Sequence, residues 1–470
     1  MSNRKYTNFF SDIVLFSIGS LGSKILLFLL IPLYTSILSN SEYGIADLVY
    51  TIGDLILPFI SLTIYNGLLR FGLAKEKRFD AIRCASLIFV FGSVLTILIT
   101  PILGLYKSIA EWKWFLSFKI ISSFALSNSL IMLKINEKTK WYAFVSILQA
   151  VLLVSCNLLF LIVYRQGIKG YLFSSIISSS ISAIIAFIAS NGFYEIKQSS
   201  TDRKLMKEMV LYSLPFIIND VSWWLINSSD KVMIEMLIGS SLLGIYTAAS
   251  KIPSLINTVT FIFSQAWGIA SIKEYDSTND CTFYSTVFLA FSIVIVGFCM
   301  VLITITKPFM TIYVGNSFFE AWHFVPPLLT SAAFSAISTF SGSLLGALKK
   351  SSKLMLTTVI SATINIIVNY IMITNIGIWG AVIGTVAAYL SVAILRMIAV
   401  KRDIAIDYNL KLSIPLAILL LVQSVLVGID FYPYVVSFVV LLCYVFLIRK
   451  HIMTLLLFLK KIKNTSLSDC

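Results

Sequence analysis

Residues 38–56 read LSNSEYGIADLVYTIGDLI, and residues 238–256 read IGSSLLGIYTAASKIPSLI. At an offset of 200 they share Gly44-Ile45 with Gly244-Ile245, Ile52 with Ile252, and Leu55-Ile56 with Leu255-Ile256. Each stretch leaves one apolar segment through a short polar turn and enters the next. Each also carries a charge inside that next segment, Asp54 in one and Lys251 in the other. An ionised side chain near the centre of a bilayer costs about 2.5–3.5 kcal/mol even on the lenient insertion scale. Such side chains face a protein interior or a watery cavity rather than lipid. Lys24, Asp220, Asp230 and Lys231 lie as deep in apolar surroundings.

Composition fixes the class. The chain has 470 residues, of which 58% are hydrophobic and 12% charged, and its mean hydropathy is +0.92. A soluble domain carries about a quarter charged residues, so this chain has too little polar surface for one. Crossing a bilayer as a helix takes about 20 apolar residues. The spans fall near 11–37, 44–69, 83–106, 112–133, 141–164, 168–193, 208–237, 242–270, 281–306, 321–348, 354–375, 377–400, 412–430 and 432–449. The last pair is interrupted by Asp430 and Pro433, and the break before it lies at Thr374-Asn375-Ile376-Gly377. The expected fold is an all-α integral membrane protein of about 14 transmembrane helices.

The formal net charge of +14 does not point to nucleic acid, because the basic residues cluster between spans. With the N-terminus placed in the cytoplasm, 26 Lys and Arg fall in inside segments and five in outside loops. The positive-inside rule supports that orientation, with both termini cytoplasmic. The first apolar run follows Arg4 and Lys5 and continues to about Leu38, too long for a signal-peptide core, and reads as an uncleaved span.

The repeat divides the chain into two blocks of six helices. Residues 1–193 form an N-terminal lobe, 194–207 a cytoplasmic linker, 208–400 a C-terminal lobe, and 401–470 two further helices with a tail. Six is even, so the lobes keep the same orientation and relate by a pseudo-two-fold axis along the membrane normal.

Helical spacing collects the buried charges into stripes. Helix 1 carries Ser17, Ser20 and Lys24; helix 2 carries Asp47, Tyr50, Asp54, Ser61 and Tyr65. Helix 7 carries Asp220, Trp223, Asn227, Asp230 and Lys231, and helix 8 carries Thr247, Lys251, Ser254, Thr258 and Gln265. These polar faces are expected to meet in a cleft between the lobes. Asp230 and Lys251 lie 11 and 10 residues from the turn at Ser241, and Lys24 and Asp54 lie 16 and 14 residues from Asn40. At 1.5 Å per residue, each cation sits level with an anion. Two readings stay open: structural ion pairs, or cations available to an anionic ligand. Lysine binds phosphate as a point charge, and the carboxylates could carry H+ or Na+.

Trp223-Trp224 could stack on a sugar ring or simply pack. Pro32, Pro58, Pro215 and Pro253 give helices 1, 2, 7 and 8 places to bend. The six cysteines show no CxxC or metal spacing, and His323 and His451 lie far apart. No phosphate-binding glycine loop, zinc motif or nucleophile elbow appears, which argues against an ATPase or hydrolase, and no catalytic residues, metal site or cofactor are expected. A membrane glycosyltransferase would need a large catalytic loop, and the longest here is 194–207.

Several stretches carry a family resemblance. IPLYTSILSNSEYG at 31–44 and NGLLRFGLAKEKR at 66–78 resemble the opening of bacterial polysaccharide-repeat (O-antigen, Wzx-type) flippases. YSLPFIIND at 212–220, NSSDKVMI at 227–234, LLGIYTAASKI at 242–252 and YVGNSFFEAW at 313–322 extend the likeness over both lobes. That family shares a superfamily with multidrug and toxin extruders and lipid II flippases. The resemblance implies two six-helix lobes working by alternating access. It implies movement of an undecaprenyl-pyrophosphate-linked oligosaccharide from the cytoplasmic to the periplasmic leaflet of the inner membrane. The product would be O-antigen of lipopolysaccharide or another surface polysaccharide, with a polymerase and a chain-length protein as partners. Lipid II flippases use cations on helices 1, 2 and 8, which Lys24 and Lys251 match by helix. Helix 2 here has Asp54 at mid-depth, and its cation is Arg70 at the cytoplasmic end. The alternative is a cation-coupled multidrug efflux antiporter.

Overall fold

The computed structural model describes residue 26 and residues 28–74, 76–198, 202–277 and 281–468, with side chains described as far as 451 apart from those of residues 269, 273, 276 and 277. Among these, 13 helices are long and apolar enough to cross a membrane. The first expected span lies mostly outside the described residues, and only its end, α1 (Ile31–Ile37), is seen. The protein is a multi-pass, all-helical membrane protein, and its helices fall into two compact units, 1–247 and 248–470.

In the first unit, α2 (Asn40–Ser61) opens with a capping box. The Glu42 backbone N–H donates to Ser39 Oγ, and Glu42 Oε2 accepts from the Ser39 backbone N–H at 2.9 Å. The expected single span 44–69 is in fact two helices, since Leu62 and Thr63 both take positive φ before α3 (Ile64–Gly72). Pro58, four residues upstream, removes one rung of the helical ladder just ahead of this break. Then follow α4 (Arg78–Leu103), α5 (Lys113–Ile135), α6 (Thr139–Asn157), α7 (Gly167–Ala189), short α8 (Gly192–Gln198) and α9 (Arg203–Ile238). A π-helical turn, Leu158–Val163, extends α6 to the length of a span. The central helix is α5, which packs on α2, α3, α4 and α7. Helix α9, the seventh expected span, packs on α2, α3 and α4.

The division between units falls inside α10 (Ser240–Ser250). The expected span 242–270 also breaks, at Lys251-Ile252, with Pro253 opening α11 (Pro253–Ser277). Proline suits a first helical turn because its missing N–H would be unpaired there.

In the second unit come α12 (Cys281–Tyr313), α13 (Val325–Ala347), α14 (Ser351–Ile376), α15 (Ile378–Lys401), α16 (Leu410–Gly428) and α17 (Pro433–Ser468). The breaks expected at Gly377 and at Asp430–Pro433 are present, with φ of 61° at both Gly377 and Asp430. Here α13 is central, packing on α11, α12, α15 and α16. Spans four and ten, α5 and α13, are thus the hubs of their respective units. Outside the spans, Asp403 accepts from Lys350 and, at 2.9 Å, from Lys353, tying the α13–α14 connection to the end of α15.

Candidate functional site

Helix α2 carries Asp47, Tyr50 and Asp54 at intervals of three and four residues, on one face. Asp47 is buried and accepts from Lys231 Nζ of α9 at 2.7 Å and from Thr247 Oγ1 of α10 at 3.2 Å. Its neighbour in sequence from Lys231, Asp230, is also buried; it accepts the Tyr246 hydroxyl and the Lys231 backbone N–H. One helical turn of α9 therefore places a cation on α2 and an anion on α10. Removing two ions from water costs several kcal/mol each, and only close geometry and added hydrogen bonds offset it. Both conditions hold around Asp47.

Two turns further along α2, Asp54 accepts from Lys119 Nζ of α5 at 2.9 Å. This pair is lopsided: the Lys119 side chain is 11% exposed and that of Asp54 62%. The ammonium also lies 4.9 Å from the Tyr50 ring centroid, and Tyr50 packs edge-on against Tyr171 of α7 at 5.3 Å. A cation held over a ring face gains about 0.5–2 kcal/mol. The aliphatic stem of Lys119 runs past Gly53, where a Cβ would meet Lys119 Cδ at 3.4 Å. Lys119 is therefore a fixed, nearly buried positive charge whose carboxylate partner is open.

Two more carboxylates of α9 are engaged by side chains from elsewhere in the unit. Asp220 accepts the Tyr65 hydroxyl of α3 at 3.0 Å. Glu235 accepts the hydroxyls of Tyr106 and Ser108, in the connection between α4 and α5. Trp224 Nε1 donates to the Thr51 carbonyl of α2 at 2.8 Å, which makes this tryptophan a packing anchor. Lower on α9, Ser213 is bonded by Thr63 and by Gly67 across the α2–α3 break.

The beginnings of α2 and α10 touch directly. A Cβ on Gly44 would lie 2.1 Å from Ser240 O, and one on Gly244 would lie 1.9 Å from Asn40 O. Ser41 Oγ and Ser240 Oγ are 2.7 Å apart. Asn40 and Ser240, Gly44 and Gly244, and Asp47 and Thr247 are each separated by 200 positions. Every one of these pairs belongs to the contact, so the helix starts cross about a local two-fold at the offset read from the sequence.

Lys24 lies outside the described residues. Arg70 is exposed in the last turn of α3. Trp223 is half-buried, and its carbonyl accepts from Asn227 Nδ2 at 2.7 Å within α9. In the second unit, Lys251 is half-buried at the α10–α11 break, and Gln265 is exposed on α11. Sequence reasoning missed Lys119, Glu235 and Arg396. Each is a charge inside an apolar span, so the criterion that singled out Lys251 would have found them. Arg396, 2% exposed in the second unit, donates to Ser338 Oγ at 2.9 Å and Thr358 Oγ1 at 2.9 Å, binding α15 to α13 and α14.

Residues 9–268 match the family model described as "Polysaccharide biosynthesis protein". The chain belongs to this family. The match takes in all of α2 to α10, and with them both ion pairs seen among the described residues of the first unit. No curated protein matches the chain. Among solved structures, the lipid II flippase MurJ in an inward closed conformation is similar with a TM-score of 0.67 and 16% identity, covering 93% of this chain and 100% of that one. An inward-facing multidrug-resistance transporter of the MATE family gives 0.60 at 14% identity, covering 81% and 98%. A transporter from Pyrococcus furiosus, described as having a binding pocket of reversed polarity, gives 0.60 at 14% identity, covering 84% and 95%. At these identities the likeness concerns the fold, which this member of the polysaccharide biosynthesis family shares with the MOP superfamily.

Proposed function

We propose that the chain is a flippase that carries a lipid-linked oligosaccharide, anchored through undecaprenyl pyrophosphate, from the cytoplasmic to the periplasmic leaflet. The observation that carries this reading is membership of a polysaccharide biosynthesis family by a chain whose spans hold fixed charges. A pyrophosphate-sugar headgroup loses its hydration in hydrocarbon; a cation kept inside a bundle replaces part of it. Lys119 is the best placed of the described cations, because Asp54, which holds it, is itself open. Lys251 and Arg70 are the other described candidates, and Lys24 remains one by its place in the sequence.

The proposed cycle is alternating access. In the topology expected from Lys and Arg placement, the turns before α2 and α10 face outward. The crossing at Gly44 and Gly244, with the Asp47–Lys231–Thr247 cluster beneath it, then seals the outer end. Opening that end requires Asp47 to release Lys231 and Thr247. A proton or Na+ arriving at Asp47, Asp54, Asp220 or Asp230 would weaken such pairs and shift the balance between states. The products would feed synthesis of O-antigen or another surface polysaccharide, with polymerase and chain-length proteins acting downstream. No catalytic step is assigned to the chain.

The test is the fate of lipid-linked units in a strain lacking the gene. The reading predicts unpolymerised units on the cytoplasmic face and loss of surface polysaccharide. A cation-coupled efflux antiporter is the second reading, favoured by the open Asp54 carboxylate as an ion site. It predicts normal polysaccharide with heightened sensitivity to organic cations.

A further inference from the structure

Within the second unit, α12, α13, α15 and α16 enclose a crevice of about 420 Å³. Its floor is apolar and buried, formed by Phe288, Phe334 and Leu416. Its rim carries Ile394, Ile398 and Ile414, which are about half exposed on the surface of the unit. Among the described residues, one charged side chain lines it, Lys401, at the end of α15. Lys401 is exposed and makes no ion pair among the described residues. Tyr408 also lines the crevice, its ring edge-on to Phe288 at 4.8 Å.

The crevice has the dimensions of one leaflet. It runs along α15 from Leu390 to Lys401, eleven residues that rise about 16 Å at 1.5 Å each. Half of a hydrocarbon core of about 30 Å is about 15 Å. A lipid chain lying alongside α15 with its headgroup at Lys401 would therefore end near the bilayer midplane, where the crevice ends. The volume falls in the usual range of small-ligand sites, about 300–1,000 Å³. A basic side chain at the headgroup level of an apolar inter-helix cleft is suited to an anionic phospholipid.

We infer that this crevice is a binding site for an anionic glycerophospholipid, with one acyl chain between α12, α13, α15 and α16 and the phosphate at Lys401. All of its lining residues belong to the second unit, and the assignment does not depend on what the protein transports. The acyl chain passes from one hydrocarbon environment into another, so close packing against the crevice floor and the contact between phosphate and Lys401 supply the preference.

The experiment uses full-length protein purified in detergent and stripped of lipid by extended washing. Thermal unfolding is followed with added phosphatidylglycerol, phosphatidylcholine of the same chains, or polyprenyl phosphate. Ligand that binds only the folded state raises the midpoint. Phosphatidylglycerol is expected to raise it by several degrees and phosphatidylcholine by less. Lys401→Glu, an exposed change that leaves the helix intact, is expected to erase the difference between the two. Ala417→Trp, which fills the crevice, is expected to abolish both shifts. Equal shifts from the two phospholipids, a Lys401→Glu protein that still prefers phosphatidylglycerol, or stabilisation by polyprenyl phosphate alone would each overturn the assignment.

Discussion

Gly44 and Gly244 lie against each other's helix starts, each facing a backbone carbonyl of the other helix at a distance no Cβ would tolerate. They are the same position of the internal repeat, 200 residues apart. Small residues let backbones approach this closely in membranes, and here the approach brings Asp47 of one copy to Thr247 of the other. The repeat is thus more than a likeness of sequence; its two copies meet, and the meeting point is built from its shared glycines.

Leucine at Gly44 or at Gly244 should disrupt the crossing to the same degree, because a side chain at either site strikes backbone rather than a movable side chain. Surface polysaccharide should fall sharply with either variant. Gly346→Ala, where the added methyl meets nothing within 4 Å, should leave it unchanged. Immunoblots of membrane fractions and polysaccharide gels would read both outcomes.

Lys231→Met removes the ammonium from a carboxylate that is 8% exposed. Breaking a buried pair from one side costs about 3–5 kcal/mol. The double variant Asp47→Leu/Lys231→Met should regain most of that stability in thermal unfolding, yet remain inactive if the pair acts in switching. Additive losses in the two single variants would show that the residues are uncoupled.

Ser41 and Ser240, whose hydroxyls are 2.7 Å apart, offer a covalent test of the crossing. Cysteines at both positions should form a disulfide under mild oxidant, since the side-chain atoms their sulfurs would replace lie 2.7 Å apart. Polysaccharide export should stop on oxidation and return on reduction. Continued export by fully cross-linked protein would show that the helix starts need not part.

Asp403 lies outside the spans, and its hydrogen bonds from Lys350 and Lys353 hold its carboxyl below the ordinary value. A depressed carboxyl pKa stabilises the fold above the unfolded-state value and loses that contribution as pH falls through the folded one. The unfolding midpoint should therefore drop as pH goes from about 5 to 3, and Asp403→Asn should flatten that dependence. Salt should reduce the wild-type effect, because the pair is exposed and screened.

Much of this architecture can be read from the chain. Apolar length gives the spans, and Gly377 and Pro433 mark breaks that the structure contains. The breaks at Leu62-Thr63 and Lys251-Ile252 are legible in part: Pro58 and Pro253 mark places to bend, but not that each span divides into two separate helices there. Deep charges pick out candidate residues, but their partners do not follow from depth. Asp54 is bonded by Lys119 of α5, and Asp47 by Lys231 of α9, pairings set by which helices pack on α2. A stripe on one helix says which face is polar, not which neighbour answers it.

The most direct measurement is translocation by purified protein in liposomes. A fluorescent undecaprenyl-pyrophosphate oligosaccharide placed in both leaflets would be exposed to a membrane-impermeant quencher. Wild-type protein is predicted to raise the quenchable fraction towards completeness, and Lys119→Met to leave it near the protein-free level while inserting normally. A wild-type protein that leaves the quenchable fraction at one half would contradict the proposed function.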